Sequence, residues 1–175
     1  ALSIKEAARK SIGTCTTFLS MELVQTIDRL LLLKSQVSEV EKQIDSIMKL
    51  IDSPLTTIPG VSTNTAAIIY AEIGDFTKFE SPAKILAFAG MEPSIYQSGQ
   101  YTSNHGKMVK RGSKYLRRAL YLASENVSHW DPSFNAYLHQ KISEGKHYNV
   151  AVSHVAKKLV RTMYAMEMNH SAYNQ

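Results

Sequence analysis

Aliphatic residues recur every seven positions across the first third of this chain: Leu23, Leu30, Val37, Ile44 and Ile51. Leu33, Val40 and Ile47 follow three residues after Leu30, Val37 and Ile44. These are the a and d positions of a heptad over about four repeats. Arg29, Gln36, Lys34 and Glu41 flank them at g and e positions. The pattern predicts one long helix, about 45 Å at roughly 1.5 Å per residue. A strict, narrow seam of this kind predicts a coiled coil with a second copy, and so a homo-oligomer. Packing of the helix on its own domain is the other reading. Ser53-Pro54 ends it, because proline disfavours helix in the residue before it. Residues 3–19 read as a shorter, separate helix interrupted at Gly13. The chain therefore divides into an N-terminal helix plus coiled-coil helix, 1–53, and a compact helical domain, 54–175.

That second part reads as all-α. Ile58-Pro59-Gly60-Val61-Ser62 precedes a helical pattern, Thr63 to Ile73, with Ala66, Ala67, Ile69 and Ile73 apolar. The arrangement resembles a helix-hairpin-helix motif. Glycine lets the backbone approach a phosphate, and amides at the next helix N-terminus point at the anion. Pro59, Gly60, Val61 and Ser62 are thus candidate DNA contacts, although Ser62 stands where a second glycine is usual. A plain connection between two helices is the alternative. Ser81-Pro82 opens another helix and Gly90 closes it. Phe76, Phe79, Leu86 and Phe88 are expected in the core. Periodicity is lost from Met91 to Gly112, which predicts a long loop or a small hairpin. Helix resumes near Ser113, with Lys114, Arg117 and Arg118 on one side and Leu116, Leu120 and Leu122 available for the core. Trp130 reads as a packing anchor. Asp131-Pro132 starts a helix over Ser133 to Ser143, which Gly145 breaks. A last helix, about Asn149 to Met168, turns Val152, Val155, Leu159 and Met163 inward.

The charge is unevenly spread. The net charge is +5, yet no Asp or Glu occurs from Pro93 to Ser124. That window holds Lys107, Lys110, Arg111, Lys114, Arg117 and Arg118. Unbalanced cations at this density read as an anion site, most often nucleic acid. Lys157, Lys158 and Arg161 either extend that face or form a solvated stripe. The single cysteine, Cys15, excludes a disulfide framework within the chain and gives no metal cluster. His129, His139, His147, His154 and His170 lack metal-ligand spacing, and no metal site is expected. No apolar run approaches the roughly 20 residues that span a membrane, and no signal peptide is expected. No membrane partner is expected, and a reducing cytoplasm is the expected compartment. The first residue is Ala1 rather than methionine, which is expected of a fragment or a processed product.

At this point a family resemblance is carried by the residues. The order is Ile58-Pro59-Gly60, Glu72-Ile73-Gly74-Asp75, Phe79, Ala89-Gly90, Pro93, Gln97-Ser98-Gly99, Lys110-Arg111-Gly112 and Leu116-Arg117-Arg118-Ala119-Leu120. It is similar to the C-terminal domain of bacterial insertion-sequence transposases of the IS-one-ten family. Ala151 to Tyr164, with Ala156-Lys157-Lys158-Leu159, also fits. The resemblance covers nearly the whole chain. It implies an absent N-terminal RNase H-like domain with four acids for a divalent metal, Mg, and no cofactor in the present fragment. It further implies a coiled coil, DNA as substrate and a structured guide RNA as partner.

The resemblance also maps a nucleophilic serine onto Ser98. Such a hydroxyl attacks a phosphodiester and stores the bond energy for rejoining. It needs a base, and cations around the phosphoryl oxygens. The cations from Lys107 to Arg118 answer the second need. For the first, His105 is the nearest candidate in sequence. Ser-Gly is also a common turn pair. Three functions follow from these readings: a DNA recombinase fragment that is inactive alone, a nucleic-acid-binding module without chemistry, and a coiled-coil assembly protein with an acidic partner.

Overall fold

A computed structural model describes residues 2–10, 12–13, 16–93, 97–98, 101–102 and 108–174. Among these residues the fold is all-α, as predicted. The helices are α1 (Leu2–Arg9), α2 (Thr17–Ile51), α3 (Thr63–Ile73), α4 (Pro82–Phe88), α5 (Lys114–Trp130), α6 (Pro132–Ser143) and α7 (Tyr148–Asn169). Strand pairing among the described residues is confined to one hairpin, β1 (Gln97–Ser98) with β2 (Tyr101–Thr102), and an isolated bridge between Pro93 and Met108. No helix is long and apolar enough to cross a membrane.

The chain forms two units, Ala1–Gln43 and Ile44–Gln175. In the first, α2 begins at Thr17, six residues ahead of the heptad. All 35 residues of α2 span about 52 Å at roughly 1.5 Å each. Leu23, Leu30, Leu33, Val37 and Val40 are exposed along the expected seam. The apolar surface is wider than a narrow seam, however, because Val24, Ile27, Leu31 and Leu32 are exposed as well. Those four sit at b, c and e positions.

The second unit takes in the last turns of α2, ten residues before the boundary placed at Ser53-Pro54. Met48 is buried and Ile44 packs against the core. The helix ends through Asp52, which is left-handed at φ +52°, a conformation that Asp tolerates better than most residues. Ser53 then caps the 3₁₀ turn Pro54–Thr57, its Oγ accepting from the Leu55 amide at 3.3 Å. That hydroxyl also donates to Glu167 Oε1 of α7 at 2.6 Å, in the interior. Ser53 is extended, so α2 stops just ahead of Ser53-Pro54 as expected, and the proline also starts the next element.

Helix α5 is the centre of this unit and contacts α3, α6 and α7. Leu116, Leu120, Ala123 and Val127 form its fully buried stripe, at the three- and four-residue spacing that keeps side chains on one face. Opposite them α7 buries Val152, Val155, Leu159 and Met163, the four predicted to point inward. Each such aliphatic side chain contributes about 1.5–3 kcal/mol when fully buried. Three expectations are corrected. Leu122 is exposed, because two residues beyond Leu120 is the far side of the helix. Phe88 is 42% exposed and leans on Phe79, ring centres 5.7 Å apart, while Phe76 and Leu86 are in the core. Trp130 is 65% exposed and meets only the edge of His129 among described ring pairs. The buried face passes instead from Val127 to Asp131, four residues on.

Asp131 is fully buried and caps α6. One carboxylate oxygen accepts from the Ser133 and Phe134 amides at 2.8 and 3.0 Å. The other accepts from the Tyr173 hydroxyl at 2.8 Å. Burial pushes this carboxyl up, but the Phe134 and Ser133 donors and the Tyr173 hydroxyl together hold it below its ordinary value.

Candidate nucleic-acid interface

The segment bearing Ser98 leaves and rejoins the compact unit at one narrow root. Its outgoing side is Gly90 to Pro93 and its returning side is Met108 to Gly112. Lys110 N donates to the Gly90 carbonyl at 2.9 Å, Val109 N to Glu92 at 2.9 Å, and Ser113 N to Phe88 at 3.0 Å. Two glycines make the approach possible. A Cβ on Gly90 would lie 2.0 Å from the Arg111 oxygen, and one on Gly112 would lie 2.1 Å from the Phe88 oxygen. Both have positive φ, so any side chain is excluded twice, by backbone conformation and by collision. Further out, Ser98 is paired with Tyr101 and Gln97 with Thr102 in antiparallel register. The expectation of a loop or small hairpin resolves as a hairpin. Lys107, His105 and Gly99 lie outside the described residues.

The basic helix starts at this root. Ser113 caps α5, accepting from the Leu116 amide at 3.0 Å and donating to Glu72 Oε2 at 2.5 Å. Glu72 thus comes to the head of a helix whose own neighbourhood in sequence has no acid. Arg117 is half-buried. Its Nη1 donates to the carbonyls of Ala89 at 2.8 Å and Lys110 at 3.3 Å. The expectation that Arg117 lies on one side of the helix with Lys114 and Arg118 is therefore refined: it braces the root, and the other two are exposed. Lys110 and Arg111 are also exposed, and Lys110 has a left-handed backbone at φ +57°. Lys114 Nζ lies 5.0 Å from the centre of the Tyr115 ring.

Four of the predicted cations, Lys110, Lys114, Arg117 and Arg118, line one hollow of about 400 Å³. Arg111 is not among its lining residues. The far wall comes from α7, through Asn149 and Ser153, and Tyr121 bridges the walls by donating to Asn149 Oδ1 at 2.9 Å. Burial, and then the charge of Glu125, raise the Tyr121 hydroxyl, so it remains a donor. A second hollow of about 360 Å³ adjoins the first, sharing Met91, Met108 and Ser153, and adds His154 and Lys157. Among the described residues no Asp or Glu lines either. Burial lowers the His154 pKa, and the positive charges of Lys157, Lys146 and Lys141 lower it further; Glu144 acts the other way. Of the remaining α7 cations, Lys158 turns away: its Nζ sits 4.6 Å from the Phe134 ring centre and 3.4 Å from the Ser133 carbonyl. Tyr121, Asn149, Ser153 and His154 were not singled out for this face from sequence. The signal was present in part, since Asn149, Ser153 and Lys157 are four residues apart on a face that flanks the buried stripe.

The Pro59–Ser62 loop has a different setting. The element before it is a single 3₁₀ turn, not an α-helix. Gly60, at φ +87°, packs on α5, where a Cβ would lie 2.8 Å from the Asn126 carbonyl carbon and oxygen. Its glycine is required by that helix contact. Val61 is buried, Pro59 is half-buried and Ser62 is exposed. Ser62 caps α3 by accepting from the Thr65 amide at 3.2 Å. The loop does not line either basic hollow.

Residues 52–139 match the model of the transposase IS116/IS110/IS902 family. The chain is also 30% identical over 137 residues to the insertion element IS110 uncharacterized 43.6 kDa protein of Streptomyces coelicolor, covering 77% of this chain and 33% of that protein. It is 30% identical over 115 residues to the pilin gene-inverting protein of Moraxella bovis, covering 65% and 36%. It is 24% identical over 146 residues to the transposase for insertion sequence element IS1328 of Yersinia enterocolitica, covering 80% and 43%. The chain spans about a third of the length of the first two relatives. The family match takes in α3, α4, the hairpin root and all of α5, so both the Ser98 segment and the basic helix lie inside it. The chain belongs to the IS116/IS110/IS902 family of transposases.

Proposed function

We propose that this chain is the DNA-gripping, serine-bearing part of a longer transposase or recombinase. The observation that carries the reading is the shared root: the hairpin with Ser98 and the exposed cations of α5 spring from the same backbone junction, Gly90–Pro93 against Met108–Gly112. A strand held by Lys110, Lys114 and Arg118 lies beside the base of that hairpin. In the reaction the Ser98 hydroxyl forms an Oγ–P bond with a DNA phosphodiester. One P–O ester bond breaks, and the departing DNA oxygen takes a proton as the serine proton passes to a base. A hydroxyl from another strand reverses the step and frees the serine. The phosphoester keeps the energy of the broken bond, and the cations stabilise the charge on the phosphoryl oxygens.

Among the described residues no three of His, Cys, Asp and Glu cluster as metal ligands. The Mg expected of the family is assigned to acids outside this chain, where it would activate a hydroxyl and polarise the phosphate. A guide RNA and self-association through α2 belong to the same proposal. The test sets the full-length parent beside its Ser98→Ala variant, each incubated with target DNA and run on a denaturing gel. The parent should yield a covalent adduct and the variant none, with binding nearly unchanged. An adduct that persists in the variant overturns the nucleophile. This chain alone should bind DNA without cutting it.

A further inference from the structure

We propose that α7 supplies a second wall of the DNA site, with Ser153, His154 and Lys157 holding a backbone phosphate of the strand that α5 grips from the other side. The inference rests on the proposed DNA-binding reading and names new residues for it. Three observations carry it. The hollow lined by His154 and Lys157 adjoins the one lined by Lys114 and Arg118, sharing Met91, Met108 and Ser153. The two walls therefore meet at the hairpin root. Neither hollow has an acid among its described lining residues. Finally, among the described residues the one carboxylate acting on His154, Glu144, is already paired with Lys141 at 2.7 Å and Lys146 at 3.5 Å. The negative charge that would compete with a phosphate is thus neutralised by its own neighbours.

The chemistry fits a phosphodiester. Lys157 gives a point charge and His154 a ring N–H that gains a second donor on protonation, while the Ser153 hydroxyl, which donates to the Asn149 carbonyl at 2.9 Å, rotates to reach the phosphate. The groups facing His154 are Lys157 on α7, Lys141 and Glu144 from the α6 end, and Lys146 in the turn between. Burial first, and then their net positive field, favour the neutral ring in the free protein. A phosphate at this place reverses that field and draws a proton onto the ring. Binding should therefore strengthen as the pH falls from 8 to 6, through His154.

The test measures fluorescence anisotropy of this chain with a labelled DNA oligonucleotide, its duplex and the RNA of the same sequence, over a salt series at pH 6 and pH 8. Lys157→Ala should lower the log–log salt slope for DNA by about 0.7–0.9, one phosphate's share. Lys158→Ala, whose ammonium is turned onto Phe134, should leave the slope as in the parent. His154→Gln should remove the pH dependence while circular dichroism stays unchanged. An unaltered slope in Lys157→Ala, with a reduced slope in Lys114→Ala/Arg118→Ala, overturns the α7 wall alone. A parent that binds no DNA overturns the reading beneath it. A slope change seen with RNA and not with DNA overturns the choice of strand.

Discussion

Arg117 reaches back from the first turns of α5 and donates to the Ala89 carbonyl, 2.8 Å away. A residue counted among the six cations of the acid-free window is in this way a strut between the basic helix and the end of α4. Its charge still borders the groove, but its hydrogen bonds are internal.

Arg117 and Arg118 should therefore separate in their effects. Arg117→Ala leaves two carbonyls short of a charged donor and should destabilise the fold by about 1.5–3 kcal/mol, read as a lower urea midpoint. Arg118→Ala, at an exposed position, should stay within about 0.5 kcal/mol of the parent and weaken DNA binding instead. Equal midpoints for the two variants would remove the strut.

The root glycines give a second prediction. Gly90→Ala puts a Cβ within 2.0 Å of a carbonyl oxygen, whereas Gly145→Ala, also at positive φ, meets nothing within 4 Å. Both variants strain the backbone, and only the first collides. Gly90→Ala should lower the thermal midpoint by several degrees more, since a loss of about 1 kcal/mol moves it roughly 2–8 °C in domains of this size range. Similar midpoints would mean that the two sides of the root part easily.

Acid should loosen the cap of α6. Asp131 has a folded-state pKa below its unfolded value, so its contribution is complete above the unfolded value, near 3.9. It is lost as the pH falls through the lower folded value. Urea midpoints should drop between about pH 5 and pH 3 in the parent. They should drop less in Asp131→Asn, which starts from a lower midpoint at pH 7. Parallel pH profiles would place the acid sensitivity elsewhere.

Assembly through α2 is the remaining expectation. Leu30→Asp/Val37→Asp should convert the parent to monomers in sedimentation, because each charge would enter an apolar contact without a partner. A parent that is already monomeric at high concentration would end the coiled-coil reading.

The helices were legible because their spacing, caps and stops are local. Asp131-Pro132, Ser81-Pro82 and the seven-residue repeat each announce an element within a few residues. What escaped were relationships between distant segments. Nothing near Arg117 in sequence says that Ala89 lies within reach. Nothing near Gly60 in sequence says that its glycine is also needed where the backbone of Asn126 lies against it. The α7 wall was hidden for the same reason. Its Asn149–Ser153–Lys157 stripe has the spacing of any solvated face, and only the fold sets it across from Lys114 and Arg118. Trp130 and Leu122 are large and apolar, which points inward by residue type, but the turn of α5 carries both to its exposed side.

The bridge between Pro93 and Met108 has one more implication. The chain departs at Pro93 and returns at Met108, so the backbone of the compact unit is closed at this bridge. The contacts of α5 with α3 and with α7 are made between helices outside the bridged stretch. In such a framework the two sides of the bridge tie the end of α4 to the head of α5.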